Sequence, residues 1–136
     1  MMSKIEVWSV LGVNKMRPLL QTELVKFTKR FANFRDAEIR SLELIAPTQI
    51  KLTLALQDEA RAFDWITLEL EFYGVSDAKL LDESKLSFVD MSEGATLIYD
   101  NERFAFAIGE CYNISSIKSS ILYIIASNIK YKENQF

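Results

Sequence analysis

The chain has no histidine, although it is 136 residues long. Histidine carries most proton transfer near neutral pH, activates most serine and cysteine nucleophiles, and is a common ligand of zinc and non-haem iron. Enzymes can use Glu, Asp, Lys, Arg or Tyr instead. The absence of imidazole nevertheless argues against catalysis, and we expect a protein that binds a partner and is not an enzyme.

Cysteine, glycine and long apolar runs are also scarce. Cys111 is the only cysteine, which excludes an internal disulfide and a metal site built from several thiolates. The four glycines are scattered and form no phosphate-binding loop. The longest apolar stretch, 121–126, is too short to cross a bilayer, and no secretory signal follows the first lysine. We therefore expect one cytoplasmic domain, residues 1–136, without cofactor, metal or membrane contact.

Charge is plentiful but unevenly distributed along the chain. Residues 1–35 carry seven bases and two acids, residues 36–110 sixteen acids and six bases, and residues 111–136 three lysines and one acid. The net charge of −3 therefore hides a middle block of −10 between two basic ends. Such a block would attract a basic partner and repel nucleic acid phosphates. The alternative is a solvated surface that keeps the protein soluble.

The first third of the chain has the pattern of a helix. Apolar residues recur at a helical spacing through Leu20, Leu24, Phe27 and Phe31, which predicts a helix at about 15–33 with Asn14 as its N-cap. Before it, residues 4–13 fit either a first strand or a lead-in to the helix. The opposite helix face carries three bases that could touch phosphates, but a solvated face is the simpler interpretation. These three are Lys26, Lys29 and Arg30.

The rest of the chain alternates with a period of two, which is typical of strands. It predicts a hairpin of 40–44 with 50–56, then a strand at 66–73 that Gly74 ends or turns into a bulge. Short strands at 78–81 and 85–90, a turn at 91–94, and a hairpin of 96–99 with 103–108 follow.

Residues 120–131 fit a central strand buried on both faces, although the spacing of three isoleucines also fits a helix. The tail from 132 is expected to fray. Together these patterns predict an α+β fold, in which an N-terminal helix packs on one face of a mostly antiparallel multi-stranded sheet.

The segment 66–106 resembles a pattern in small bacterial immunity proteins of polymorphic-toxin and contact-dependent growth inhibition systems. It comprises the strand Ile66–Tyr73, a Gly-Val-Ser-Asp turn at 74–77, and short edge strands that run through Lys79–Leu81 and Phe88–Met91. The resemblance implies a cytoplasmic protein that binds one cognate toxin domain, commonly a nuclease, and blocks it. It assigns no catalytic residue.

An acidic inhibitor suits such a toxin because a nuclease site is basic in order to hold phosphate. Opposite charge speeds association, and a few buried aromatic or charged anchors carry most of the affinity. Acids next to aromatics are therefore the candidate partner-binding residues. The first predicted cluster is Asp77, Asp82, Glu83, Asp90 and Glu93 with Tyr73 and Phe88, and the second is Asp58, Glu59 and Asp64 with Trp65.

Three alternatives stay open at the level of sequence. The acids of the second cluster could bind a divalent ion, although loop acids are more often simply solvated. The domain could bind a small ligand, or act as an enzyme, through a pocket between helix and sheet that its aromatics would line. It could also be an adaptor that docks a peptide-like partner through an exposed sheet edge, with weak dependence on salt.

Overall fold

A computed structural model describes residues 15–136 of the chain. The prediction for residues 4–13 and the cap proposed at Asn14 lie outside these residues. In the part that is described, the strands join into one sheet, and none of the helices has the length and apolar composition needed to cross a membrane.

The sheet has seven strands, and every strand pairing within residues 15–136 is antiparallel. The strands are β1 (Arg17–Pro18), β2 (Glu38–Ala46), β3 (Gln49–Asp58), β4 (Asp64–Lys79), β5 (Ala95–Asp100), β6 (Arg103–Ile108) and β7 (Tyr123–Gln135). Their order in the sheet is β2–β3–β4–β7–β6–β5, and β1 pairs with β7 on the same side as β6, beyond the end of β6. The predicted α+β fold with a mostly antiparallel sheet is therefore confirmed.

Within residues 15–136, helical structure is limited to short pieces. Helix α1 spans Leu24–Arg30 and helix α2 spans Ile114–Ile117. Both are brief because most of the chain alternates with a period of two, which favours strands. Four 3₁₀ turns accompany them, at Gln21–Glu23, Ala32–Phe34, Glu59–Arg61 and Glu83–Phe88.

A long N-terminal helix at 15–33 is not confirmed. Arg17 and Pro18 form β1 instead, and the amide of Leu19 donates to the Ile129 carbonyl at 2.9 Å. Proline is tolerated there because a short edge strand does not need its missing N–H. Within the predicted range 15–33, helical turns begin only after this strand. Leu24, Phe27 and Phe31 of the predicted apolar stripe are still buried. The ring of Phe27 in α1 packs edge-on against that of Tyr131 in β7, with 4.9 Å between the ring centroids.

The main core lies between α1 and one face of the sheet. Aromatic rings fill its centre, where Phe106 of β6 contacts Phe72 of β4 and Phe34. The apolar positions of β3 and β4 pair directly with each other, so that Leu52 faces Leu70 and Leu54 faces Leu68. A smaller cluster forms where α2 covers the other face of the sheet near β6. It consists of Ala105, Ala107, Ile117 and Ile125.

The predicted hairpins and turn are confirmed, with small shifts at their ends. Pro47 and Thr48 join β2 to β3, and β3 extends to Asp58, two residues beyond the end of the predicted strand. Asn101 and Glu102 join β5 to β6, both with positive φ, as a two-residue type I′ turn requires. Gly94 closes the predicted turn at 91–94 with a φ of +77°.

The last strand is also confirmed, and its tail is not frayed. β7 lies between β4 and β6, and its neighbours Ile124 and Ile125 are buried on opposite faces of the sheet. Residues 132–135 continue the strand, because they pair with residues 66–69 of β4. The predicted fraying from residue 132 is wrong for this reason.

Of the two segments predicted as short strands, the first begins as the end of β4 and the second is largely a 3₁₀ turn. Gly74 has a φ of +64°, and β4 bulges between Val75 and Asp77 and then continues to Lys79. The predicted turn at 74–77 is therefore a bulge, and no separate strand exists at 78–81. Residues 83–88 form a 3₁₀ turn, because the Asp82 carboxylate accepts from the Ser84 amide at 3.4 Å and caps it.

Candidate functional site

The acids of β4 lie on a sheet face that also carries the lysines of β7. Glu69 is directly opposite Lys132, and Glu71 is directly opposite Lys130. Lys51 Nζ of β3 lies 3.8 Å from Glu69. Opposite charges at directly paired strand positions attract and reduce the field outside the sheet. The basic C-terminal block therefore neutralises part of the acidic middle block once the chain has folded.

A network of five charged residues joins α1 to the sheet. Arg30 of α1 holds Asp58 with two parallel hydrogen bonds of 2.7 Å, and donates to Glu133 at 3.1 Å. Arg61 bridges the same two carboxylates, at 3.0 Å from Asp58 and 2.7 Å from Glu133. Arg17 donates to Glu133 at 2.7 Å. Arg30 is thus bound within the fold, and its guanidinium is not a phosphate contact on a solvated helix face.

Asp58, one of the predicted partner-binding residues, lies inside the fold and presents no surface to a partner. It is fully buried, with 0% of its surface exposed, and Glu133 beside it is 4% exposed. The position follows from the register, because Asp58 shares the core-facing side of β3 with Leu54 and Leu56. A carboxylate in such a place needs a partner within the protein, and the arginines supply it.

Burial and ion pairing have opposite effects on the pKa of each of these two carboxyl groups. Burial raises the pKa of Asp58 and the pKa of Glu133, but the hydrogen bonds and charge of Arg30, helped by Arg61, lower them further than burial raises them. The net pKa of each carboxyl is below its ordinary value. The hydrogen bond to Asp58 also raises the pKa of Arg30. Asp58, Glu133 and Arg30 are therefore charged at neutral pH.

This network makes stability fall at acid pH. Asp58 and Glu133 have ordinary pKa values of 3.8 and 4.5, and the folded state holds both lower, so the unfolded chain takes up protons first. Their contribution is complete above the ordinary values and is lost as pH falls through the lowered folded values. Urea unfolding across that range should show the midpoint decline. A midpoint that stays constant or rises as the pH falls would contradict this.

The other members of the second cluster stay at the surface. Glu59 and Asp64 are exposed, and none of the ion pairs formed within residues 15–136 includes either. Trp65 is 42% exposed and packs against Phe136 with 5.8 Å between ring centroids. The structure therefore divides this cluster, with two acids and the tryptophan outside and Asp58 inside.

The β4 members of the first cluster are engaged within the protein. Asp77 accepts from the Tyr123 hydroxyl at 3.2 Å and lies 3.4 Å from Lys118 Nζ. The Tyr73 hydroxyl donates to Glu71, which with burial raises the pKa of Tyr73 to about 12. The polar groups of Asp77 and Tyr73 are therefore already bonded within the protein. Both residues lie on the sheet face where lysines offset the acids of β4.

The remaining members of the first cluster come together in one segment, residues 82–93, which we call the acidic segment. It carries four acids and Lys85, a net charge of −3, and no ion pair within the described part of the chain involves any of them. It packs against β2. The predicted partner-binding residues within it are Asp82, Glu83, Phe88, Asp90 and Glu93.

The acidic segment is held in place at both ends. Leu86 and Met91 are buried in the main core. Asp82 caps the 3₁₀ turn, and the Asp90 carboxylate accepts from the Ser92 amide at 2.9 Å, a bond that lowers the pKa of Asp90. The backbone is therefore fixed by two apolar anchors and two local caps, and the charges project from a defined surface.

Phe88 is the most exposed large apolar residue in the described part of the chain. It is 84% exposed, although Leu86 and Met91 on either side are almost completely buried. A phenylalanine that stays in water does not contribute the roughly 1.5–3 kcal/mol of folding free energy that its burial would supply. A single exposed apolar residue is ordinary. One that is held between buried neighbours, among acids that form no ion pair within residues 15–136, has the composition of an interface anchor.

One acid beside the acidic segment was not predicted from the sequence. The Asp36 amide donates to the Met91 carbonyl at 2.8 Å, which places this exposed acid next to the turn at 91–94. Asp36 is far from the segment along the chain, and no spacing pattern links them. Asp36 comes close to the acidic segment only because residues 32–37 pack against this turn in the folded chain.

A surface cleft of about 480 Å³ lies between α1 and β5. Like two other clefts of similar volume in the described structure, it is a candidate for the pocket expected by the ligand-binding alternative, and it opens to solvent. Cys111 lines it, and burial raises the pKa of that thiol, so the thiolate is disfavoured. No group of three or more acidic, cysteine or histidine side chains within residues 15–136 is arranged to hold a metal ion.

The chain matches no family model, and neither a similar curated protein nor a similar solved structure was found.

Proposed function

We propose that this chain is an inhibitor of the immunity-protein type, which binds a basic partner domain of the nuclease class through the acidic segment and blocks it. The observation that carries the proposal is the exposure of Phe88, which is 84% exposed in a segment that buried residues hold in place. The segment has a net charge of −3, and its acids make no ion pair within residues 15–136.

The free acids favour a basic protein as the partner. A carboxylate already paired with lysine gains little from a second cation, whereas an unpaired one keeps its full field. Those of the acidic segment form no ion pair within residues 15–136, while Glu69 and Asp58 have basic partners. Steering by such a patch raises association rates and weakens as salt screens it.

Phe88 favours a protein surface over a small ion as the partner. Desolvating its ring against an apolar patch would supply the anchor energy, while the acids around it would select a basic rim. The segment loses little conformational entropy on binding, because Leu86 and Met91 already fix its ends. Anchor, charge and rigidity are thus combined in one short stretch of chain.

The test needs a basic nuclease domain, and the candidate is the C-terminal domain of a large secreted protein encoded beside this chain. We expect this chain to bind that domain and abolish its nuclease activity at equimolar concentration. The association rate should fall by about tenfold or more between low and high salt, as for steered complexes. Absence of binding, or binding without inhibition, would overturn the proposal.

Charge-reversal variants locate the surface. Asp82→Lys combined with Glu83→Lys should slow association with that domain by about tenfold or more. The matched control is Glu38→Lys combined with Glu43→Lys, on β2, where each acid already has a basic neighbour, Arg40 and Lys51 respectively. The control should change the rate by less than about threefold. Equal slowing by both pairs would show that the acidic segment is not the contact.

A further inference from the structure

β5 is an edge strand whose outer side has no strand partner within residues 15–136. The Gly109 amide donates to the Gly94 carbonyl at 2.9 Å, and the Ile108 amide donates to Leu122 on the opposite side at 3.1 Å. Alternate residues of β6 therefore face β5. By the antiparallel register, the outward amides and carbonyls belong to Ala95, Leu97 and Tyr99.

This edge forms the floor of the cleft between α1 and β5. Five consecutive residues of β5, 95–99, line the cleft, as expected of a space that runs along a strand edge. Leu24, Val25 and Thr28 of α1 form one wall, and residues 109–112 form the other. Thr96 Oγ1 fixes the second wall, because it donates to the Gly109 carbonyl at 2.8 Å and accepts from the Cys111 amide at 2.9 Å.

The two walls differ in chemistry. The α1 wall is largely apolar, and Val25 is 81% exposed. Glu110 belongs to the other wall, and Glu93 lines the same end of the cleft, where the Gly109 amide bonds to the Gly94 carbonyl. Neither acid has an ion pair in the described part of the chain, and Arg35 is the only base along the cleft there. A strand with alternating apolar and basic side chains would match both walls.

We infer that the cleft binds an extended segment of the partner protein, with alternating apolar and basic side chains, as an eighth strand of the sheet beside β5. The inference rests on the proposed function for the basic character of the partner. The added strand would form backbone hydrogen bonds with Ala95, Leu97 and Tyr99, its apolar side chains would pack on α1, and its basic side chains would meet Glu93 and Glu110. The acidic segment ends at Glu93, so the two surfaces are continuous.

The probe is an end-blocked peptide of alternating lysine and valine, slightly longer than the six residues of β5. In hydrogen exchange of the full chain measured by NMR, saturating peptide should slow the amides of Leu97 and Tyr99 by about tenfold or more. The same peptide N-methylated at two adjacent central residues cannot form the ladder and should bind at least about tenfold more weakly. A glutamate–valine peptide should not bind.

Three results would overturn the inference. The first is equal binding of the methylated peptide. The second is slow exchange of the Leu97 amide without any peptide, which would mean that another part of this chain or a second copy covers the edge. The third comes from Val25→Trp, which should fill the cleft and abolish peptide binding, while Lys29→Trp, exposed on the same helix and away from the cleft, should not. Identical behaviour of the two variants would exclude the cleft.

The strand-addition site and the acidic segment can fail separately. If the lysine–valine peptide does not bind, but Phe88→Ala still weakens binding of the basic domain, only the strand-addition site is wrong. If the peptide binds as described, but the basic domain neither binds nor is inhibited, the proposed function fails and the edge remains a peptide site.

Discussion

Replacing Asp58 with asparagine should lower the free energy of unfolding by about 3–5 kcal/mol, the usual cost of removing one partner from a buried ion pair. The variant keeps the shape of the side chain but loses the charge that two arginines contact at 2.7–3.0 Å. Arg30 would then hold a guanidinium against a neutral amide in a place where Asp58 is completely buried. The loss should appear as a lower urea midpoint with an unchanged slope.

Asp64→Asn is the matched control for this prediction. Asp64 lies directly opposite Asp58 in the β3–β4 register, yet it is exposed and has no ion pair within residues 15–136. Its replacement should change stability by no more than about 0.5 kcal/mol. Asp58→Asn should also lose part of its dependence on acid pH, because one of the two lowered carboxyl pKa values is gone. Equal midpoints for the two variants would show that the network contributes no net stability.

Replacing Phe88 with alanine should weaken binding of the basic domain by about 30-fold or more, the range of an interface anchor. The expected effect on stability is within about 0.5 kcal/mol, because the ring is 84% exposed and contributes little to the core. The loss should appear mainly as faster dissociation, since the ring acts after the charges have brought the proteins together. Surface plasmon resonance and urea unfolding of the same sample separate the two effects.

Phe63→Ala supplies the control for Phe88. Phe63 is also an exposed aromatic, at 56%, but it lies between β3 and β4, outside the acidic segment. It should leave binding unchanged within about twofold, as most exposed residues do. If both alanine variants bind as the original chain does, Phe88 is not an anchor, and the proposal loses the observation on which it rests.

The sheet could be predicted from sequence because its strands alternate cleanly and their turns have recognisable chemistry. The hairpins at 47–48 and 101–102 follow from local patterns alone. The N-terminal region could not be predicted in this way, because helical spacing reports which residues are buried and does not report which backbone forms. Pro18 belongs to a strand because β7 offers it a free edge, and that edge exists only in the folded sheet.

In the candidate site, too, features set by neighbours in sequence could be predicted, and features set by residues far along the chain could not. Phe88 and its neighbouring acids are close in sequence, and the pattern identified them as one group. Asp58 has an equally acidic neighbourhood in sequence, but its side chain points into the core, where Arg30 and Glu133 meet it from distant parts of the chain. The Lys130 and Lys132 side chains that offset the β4 acids also come from far along the chain. Net charge by segment therefore overestimates the acidic surface.

The most direct test of the proposed function is a hydrogen-exchange footprint of this chain with and without the basic nuclease domain. We predict slower exchange across residues 82–93 in the complex, with the mixed lysine and glutamate face of β3, β4 and β7 unchanged. Protection confined to that mixed face, with residues 82–93 exchanging as in the free chain, would contradict the central claim that the acidic segment contacts the partner.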